Sequence, residues 1–155
     1  MTGQKPKKAR LLFVCTGNTC RSAMAETIFK RAVKERKLAD RLQVVSAGLF
    51  ANPGDEMSAG AKAALRTLGY PPRKHRAKRL TPAMAADARA MLVCMTAGHK
   101  ARIPGRNVFT VAELTGGQDV GDPYGENLEV YLSAARYIEY SVDDVLLKAG
   151  ELFDL

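Results

Sequence analysis

The sequence predicts an α/β protein of three layers: a four-stranded, parallel, twisted sheet with helices on both faces. Three observations carry this. Short apolar runs alternate along the chain with longer stretches of helical period. Neither an internal repeat nor an interdomain linker interrupts that alternation. The 155 residues suit one domain and can bury a sizeable core without disulfides or metal. Strands alternating with helices imply right-handed crossovers, which is the doubly wound arrangement of flavodoxin-like and Rossmann-like sheets.

Taken in order, residues 1–9, with Lys5, Lys7 and Lys8 around Pro6, read as a flexible basic tail, leaving residues 10–155 as the domain. Arg10–Val14 is a compact apolar strand. Ser22–Lys37 has helical spacing, with Met24, Ile28 and Ala32 on one stripe and Ala25, Phe29 and Val33 beside it. Leu42–Ser46 is a second strand. Met57–Leu68 is helical through Met57, Ala61, Ala64, Leu65 and Leu68; Gly69 is its C-terminal stop, with Pro71 and Pro72 beyond. Thr81-Pro82 reads as an N-cap with proline at the first helical position. Met91–Met95 and Asn107–Val111 are the third and fourth strands. A last helix carries Leu128, Tyr131, Ala135, Ile138, Val142 and Val145 at steps of three and four, the strongest periodicity in the chain.

Composition narrows the function. Apolar residues make up 46% and charged residues 26%, a globular balance that excludes collagen-like, coiled-coil and wholly disordered chains. No apolar run approaches the ~18 residues of a membrane span, and Leu11–Cys15 is too short for the core of a signal peptide. A cytoplasmic location is therefore the expectation. Charge is divided: residues 1–106 hold 22 basic and 6 acidic side chains, and residues 107–155 hold 2 basic and 10 acidic. A positive part of that size suggests an anionic ligand or partner. For most of the lysines, and for the run of five basic residues in Arg73–Arg79, a solvated surface is the simpler reading. Three cysteines, Cys15, Cys20 and Cys94, suit neither a disulfide scaffold nor a metal site, and no metal or other cofactor is expected.

The rule for open parallel sheets places the ligand beyond the carboxyl ends of the strands, so the first loop is the first place to look. It reads Cys15-Thr16-Gly17-Asn18-Thr19-Cys20-Arg21-Ser22. A loop joining a strand to a helix can point its backbone N–H groups inward, and the helix N-terminus adds roughly half a positive charge behind them. Gly17 permits close approach of the backbone and Asn18 tolerates unusual angles. The loop lacks the second glycine and the Gly-Lys-Ser/Thr ending of a Walker loop. What distinguishes it is a cysteine at its start and an arginine six positions later. Donors that bind phosphate oxygens also favour a thiolate, which is a strong nucleophile. Arg21 can grip two phosphate oxygens with its planar fork. Ser22 can hydrogen-bond the thiolate and ease its departure.

Val14–Ser22 resembles the phosphate loop of the low-molecular-weight protein tyrosine phosphatases. Ser46-Ala47-Gly48, His75-Arg76-Ala77-Lys78-Arg79-Leu80 and Asp122-Pro123-Tyr124 resemble further segments of that family, in order, so the resemblance covers roughly residues 10–148. It implies a Cys15 nucleophile that becomes a phosphocysteine, and an Asp122 that protonates the leaving group and then activates water. Arg21 completes the implied catalytic set. The implied phosphate and substrate contacts come from Thr16, Gly17, Asn18, Thr19, Cys20, Ser22 and Tyr124. Asp122 lies among Gly116, Gly117, Gly121 and Gly125, a suitable setting for a loop that closes on substrate. Cys20 is either a small buried residue or, as in the family, the partner that traps an oxidised Cys15 as a reversible disulfide. Cys94 is inert core, and His75 and His99 are structural or exposed.

Two details resemble the bacterial protein-arginine phosphatase branch. Thr19 stands where many tyrosine phosphatases of the family carry a bulky aliphatic, and Ser46–Ala51 is similar to that branch. Gly125 follows Tyr124 where a second aromatic is frequent. One aromatic wall and a small hydroxyl suit a guanidinium better than a phenol ring. Ala23 replaces a common proline, a change from which little follows because alanine is a good helix former. Hydrolysis of phosphoarginine in proteins is the expectation, and phosphotyrosine hydrolysis by the same mechanism is the alternative. Arsenate reduction needs a relay of further thiols, which Cys94 alone does not supply. A phosphate-binding module would need neither nucleophile nor acid. A nucleic-acid module lacks an aromatic platform. The expected partners are phosphorylated proteins, with no nucleic acid and no membrane, and the expected state is a monomer.

Overall fold

Strand β1, Ala9–Cys15, lies inside a sheet of order β2-β1-β3-β4 whose strands all run parallel. The computed structural model describes residues 7–71 and 73–155; residues 1–6, most of the expected basic tail, and Pro72 lie outside the described residues. Along the chain follow α1 (Arg21–Glu35), β2 (Leu42–Gly48), α2 (Ala59–Thr67), α3 (Pro82–Ala86), β3 (Ala90–Cys94) and α4 (Ala97–Lys100). The remainder is β4 (Val108–Thr110), α5 (Val111–Thr115), α6 (Leu128–Tyr140) and α7 (Val142–Phe153).

The alternation of side chains along β1 divides the core. Leu11, Phe13 and Cys15 enter the larger cluster with Met24 and Ile28 of α1, Ala61 and Leu65 of α2, and Ile138 of α6. The rings of Phe13 and Phe29 meet there at 4.5 Å. Leu12 and Val14 point the other way, onto Leu92, Cys94, Ile103 and Val108, with Val45, Leu49, Leu80 and, on the short α3, Met84 and Ala85 packed against them. The two helical layers are thus very unequal. Burial within the thinner one pushes the Cys94 thiol up to about 12, so it stays protonated as an inert core group.

Several elements differ from expectation, each for a local reason. Val111 begins a helix instead of ending a strand. Thr110 caps it from one side and Glu113 returns a bond to the Thr110 backbone, forming a capping box that stops β4 after three residues. Thr96 caps α4, which periodicity could not register because it is a single turn. The expected last helix is two. At Ser141 the hydroxyl donates to Ile138 O at 2.6 Å, occupying the carbonyl that a continuous helix would offer to residue 142. Both pieces keep the same buried stripe, with Ile138 and Val145 inside, which is why one periodicity runs through them. Thr81 caps α3 with Pro82 first in the helix, as predicted; the C-cap of α2 is Leu68 rather than Gly69, which follows it at φ +88°.

The strand order places the site. From β1 the chain moves to β2 on one side and later returns to β3 on the other, so strand order reverses at β1. Cys15 ends β1, and Met95 follows β3, its N–H bonded to Val14 O at 3.0 Å. The loop that leaves β1 and the later connection between α5 and α6, tied to Met95 O by the Val120 N–H, therefore face one crevice.

Candidate active site

Cys15 is almost fully buried at the end of β1, and its Sγ has two neighbours. Ser22 Oγ lies 2.8 Å away, and the Asn18 N–H donates to the sulfur at 3.3 Å. Residues 16–20 carry the chain from β1 into α1, whose first-turn N–H groups have no partner inside the helix. The loop therefore brings together sulfur, inward backbone donors and a helix N-terminus. Such a set suits an oxyanion held beside the sulfur.

Asn18 organises the loop. Its φ of +57° is the left-handed region, where asparagine is among the least strained of side-chain-bearing residues. Its Oδ1 accepts the Lys78 N–H at 2.9 Å, which fixes which end of the amide is which. Its Nδ2 then donates to Ser22 Oγ at 2.8 Å and Ser46 Oγ at 2.9 Å. Since Ser22 Oγ already accepts from Asn18, its own proton is free for Cys15. Ser46 in turn donates to Glu26 Oε1 at 2.5 Å. Burial alone would raise the Glu26 carboxyl, but hydrogen bonds from Lys30 and Ser46 outweigh it and hold the group below its ordinary value. A partly buried carboxylate thus anchors one end of a hydrogen-bond network in which Asn18 donates both ways, through Ser46 to Glu26 and through Ser22 to the sulfur.

Arg21, the first residue of α1, is buried, and its guanidinium donates to Val120 O at 2.9 Å. Another arm lies 3.7 Å from Asp122 Oδ2. Asp122 is more than half exposed and accepts the Tyr124 N–H at 3.1 Å. The Tyr124 ring is 73% exposed, an aromatic standing open beside the crevice. Val120 reaches this position because its N–H bonds Met95 O. Arg21 therefore joins the loop that leaves β1 to the loop between α5 and α6, with the cysteine on one side and the carboxylate on the other.

The remaining predicted residues fall in the same loop. Thr16 and Thr19 are partly or fully exposed and Gly17 is half-buried, whereas Cys20 is buried. The Cys20 thiol donates to Ser58 Oγ at 3.2 Å, and all three cysteines are free. Thr19 O accepts the Ser58 N–H, which ties the loop to the start of α2. Gly48 lies so close that an added Cβ would sit 2.5 Å from Thr16 O and 2.9 Å from Asn18 N. Both histidines belong to the loop's support. His75 Nε2 lies 2.6 Å from Asn18 O. His99 bridges Thr16 Oγ1 at 2.9 Å and Thr96 Oγ1 at 3.0 Å. Burial first, and then the Arg21 charge, hold His99 below its ordinary value, which favours the neutral ring. Sequence reasoning left Glu26, Ser58 and His99 outside the site. Glu26 and Ser58 carry no motif signal, and Thr96-x-x-His99 is a weak one.

A doubly wound sheet with a cysteine at the end of its first strand, cradled by a loop and faced by a carboxylate, defines a class of cysteine-centred oxyanion sites. The low molecular weight phosphotyrosine protein phosphatase family model matches residues 10–151, and the chain belongs to that family. A protein-arginine-phosphatase of Geobacillus stearothermophilus is 38% identical over 142 residues, covering 86% of this chain and 91% of its own. The low molecular weight protein-tyrosine phosphatase A of Mycobacterium tuberculosis is also 38% identical, over 127 residues, covering 72% and 74%. Among solved structures, a variant of the YwlE arginine phosphatase has serine in place of cysteine, and its active-site serine is phosphorylated. It superposes with a TM-score of 0.78 at 33% identity, covering 92% of this chain and 95% of its own.

Proposed function

We propose that this protein hydrolyses phosphoarginine in proteins through a phosphocysteine. The Cys15 thiolate attacks phosphorus, forming an S–P bond as the P–N bond breaks. Asp122 gives its proton to the departing guanidine nitrogen. Water then attacks phosphorus, Asp122 takes its proton, and the S–P bond breaks to release phosphate and the thiolate. Arg21 and the N–H groups of residues 16–22 hold the equatorial oxygens, where charge must be stabilised. The Ser22 proton steadies the thiolate before attack and on departure. The observation that supports this most is the Arg21 link: one buried guanidinium, fixed by Val120 O, joins the cysteine loop to the Asp122 carboxylate 3.7 Å away.

The preference for arginine is supported by the small polar Thr19 at the loop and by the single aromatic Tyr124. Gly125 has φ +78°, a conformation that a second aromatic would adopt only under strain. The phosphotyrosine reading is favoured by the M. tuberculosis relative, whose identity equals that of the arginine phosphatase. A cytoplasmic monomer acting on phosphorylated proteins is the corresponding cellular reading. Among the described residues, no helix is long and apolar enough to cross a membrane.

The test is kcat/KM on matched phosphoarginine and phosphotyrosine peptides, for wild type and Cys15→Ser. We expect wild type to favour phosphoarginine and Cys15→Ser to fold but not turn over. A preference for phosphotyrosine returns the chain to the alternative, and turnover by Cys15→Ser removes the mechanism.

A further inference from the structure

His75 and the Lys78 backbone brace the cysteine loop, but the five basic side chains of Arg73–Arg79 have no part in the site, and their placement is specific. Arg73, Lys74, Arg76, Lys78 and Arg79 are all exposed, while Ala77 between them is buried. The segment belongs to neither a helix nor a named strand, yet it is held from two sides. Against the cysteine loop, His75 contacts Asn18 O and the Lys78 N–H bonds Asn18 Oδ1. Against the stretch after β2, the Gly48 N–H bonds Lys78 O, the Leu80 N–H bonds Gly48 O and the Ala77 N–H bonds Asp55 O, at 2.8–2.9 Å. Among the described residues, only Arg76 of the five has a carboxylate within ion-pair distance, Glu56 at 3.3 Å. Like charges concentrated this way repel one another, and free solvated lysines need no such anchoring.

The other bank has the opposite sign. The strip runs beside the end of β2, and the Asp122 loop, which joins α5 to α6, is tied beside the end of β3 by the Val120 N–H to Met95 O; β2 and β3 flank β1 on opposite sides. The stretch between α5 and α6 exposes Asp119, Asp122 and Glu126, and the start of α6 exposes Glu129. The crevice therefore lies between a basic rim and an acidic rim. A polyanion such as nucleic acid would be repelled by the second rim as it was drawn to the first. A protein segment with acidic residues on only one side of its phosphorylated residue suits both.

The structure assigns residues 73–79 as a substrate-docking strip that selects phosphorylated protein segments carrying Asp or Glu on one flank. This rests on the phosphatase reading and specifies its substrate class. Exposed charges at a rim contribute through association and register more than through tight pairing, so the preference should be moderate and sensitive to salt.

The test uses four peptides around one central phosphorylated residue, made with phosphoarginine and separately with phosphotyrosine. Their flanks are neutral, acidic before it, acidic after it, and acidic on both sides. We expect kcat/KM to rise about tenfold over the neutral peptide for one of the two one-sided peptides, mainly through KM, and less for the doubly acidic one. Raising salt from roughly 0.02 M to 0.5 M should abolish the rise. Lys74→Glu/Arg79→Glu should abolish it too, with p-nitrophenyl phosphate turnover unchanged, and Lys74→Ala/Arg79→Ala should reduce it. Equal kcat/KM for all flanks, a preference that survives in both double variants, or equal inhibition by an oligonucleotide of the same charge overturns the docking strip and leaves the phosphatase intact. If neither the neutral peptide nor p-nitrophenyl phosphate is hydrolysed, the reading of the site falls and the strip falls with it.

Discussion

Asp122 and Thr19 put different demands on single side chains. Asp122 stands over the crevice with its carboxylate largely in solvent, held by the Tyr124 N–H and facing Arg21. Asp122→Asn keeps that shape but cannot transfer a proton, which typically contributes ~10²–10⁴-fold. The loss should be large for phosphoarginine, whose guanidine must be protonated to leave, and much smaller for p-nitrophenyl phosphate, which leaves readily as an anion. Equal losses on both would place the acid elsewhere. On the proposed reading, Thr19 lines the pocket wall and governs which leaving group it accepts. Thr19→Ile exchanges the hydroxyl for an apolar branch, and a guanidinium N–H left unmet costs about 1–3 kcal/mol. At ~1.4 kcal/mol per decade, preference should move toward phosphotyrosine by roughly ten- to a hundredfold. Measuring kcat/KM for both peptides in both proteins checks this; an unchanged ratio would mean that Thr19 does not touch the leaving group.

Between elements, the tightest meeting is that of the cysteine loop with the end of β2. Gly48 pairs with Cys15 in the sheet register, and its missing side chain admits Thr16 O and Asn18 N. These are backbone atoms that cannot rotate away, so Gly48→Ala must displace the loop. We expect a stability loss of about 1–3 kcal/mol and a kcat loss of at least tenfold, read by denaturant unfolding and by turnover; wild-type turnover would show that the loop yields freely. The sequence made this meeting legible only in part. The alternation of apolar runs with helical stripes was enough for four parallel strands, because the buried stripes of α1 and α6 are long. Short elements escaped it. In α4 a single turn shows no period, and in α5 the Thr110–Glu113 box, visible as Thr-x-x-Glu, outweighed the β propensity of Val111. The loop residues were readable because thiol, guanidinium and hydroxyl fall within one short stretch, Cys15 to Ser22. Glu26, Ser58 and His99 were not, since their part arises from long-range bonds to Ser46, Cys20 and Thr16.

Across the whole molecule, His99 and Glu26, which brace the loop, set the response to acid together with Asp87 and Glu113, which lie away from it. His99 is held below its ordinary 6.5, by burial and then by Arg21. The unfolded chain therefore takes up that proton near pH 6.5 while the folded protein still resists it. The stabilisation is complete above that value and declines as pH falls toward the folded-state value. Three carboxylates follow at lower pH. Glu26 is held below 4.5 by Lys30 and Ser46 against its burial, Asp87 below 3.8 by the Arg89 N–H and Arg10, and Glu113 below 4.5 by Lys100. Their contribution is present above those ordinary values and is lost as pH falls through the lowered ones. Unfolding by urea should therefore show two stages of acid weakening, one beginning near pH 6.5 and a steeper one beginning near pH 4.5. His99→Gln keeps a hydrogen-bonding side chain between Thr16 and Thr96 but cannot take up a proton. It should flatten the first stage and leave the second, whereas Glu26→Gln should reduce the second and leave the first. If the urea midpoint of His99→Gln falls between pH 7 and 5.5 as steeply as that of wild type, the upper stage does not come from the histidine that braces the loop.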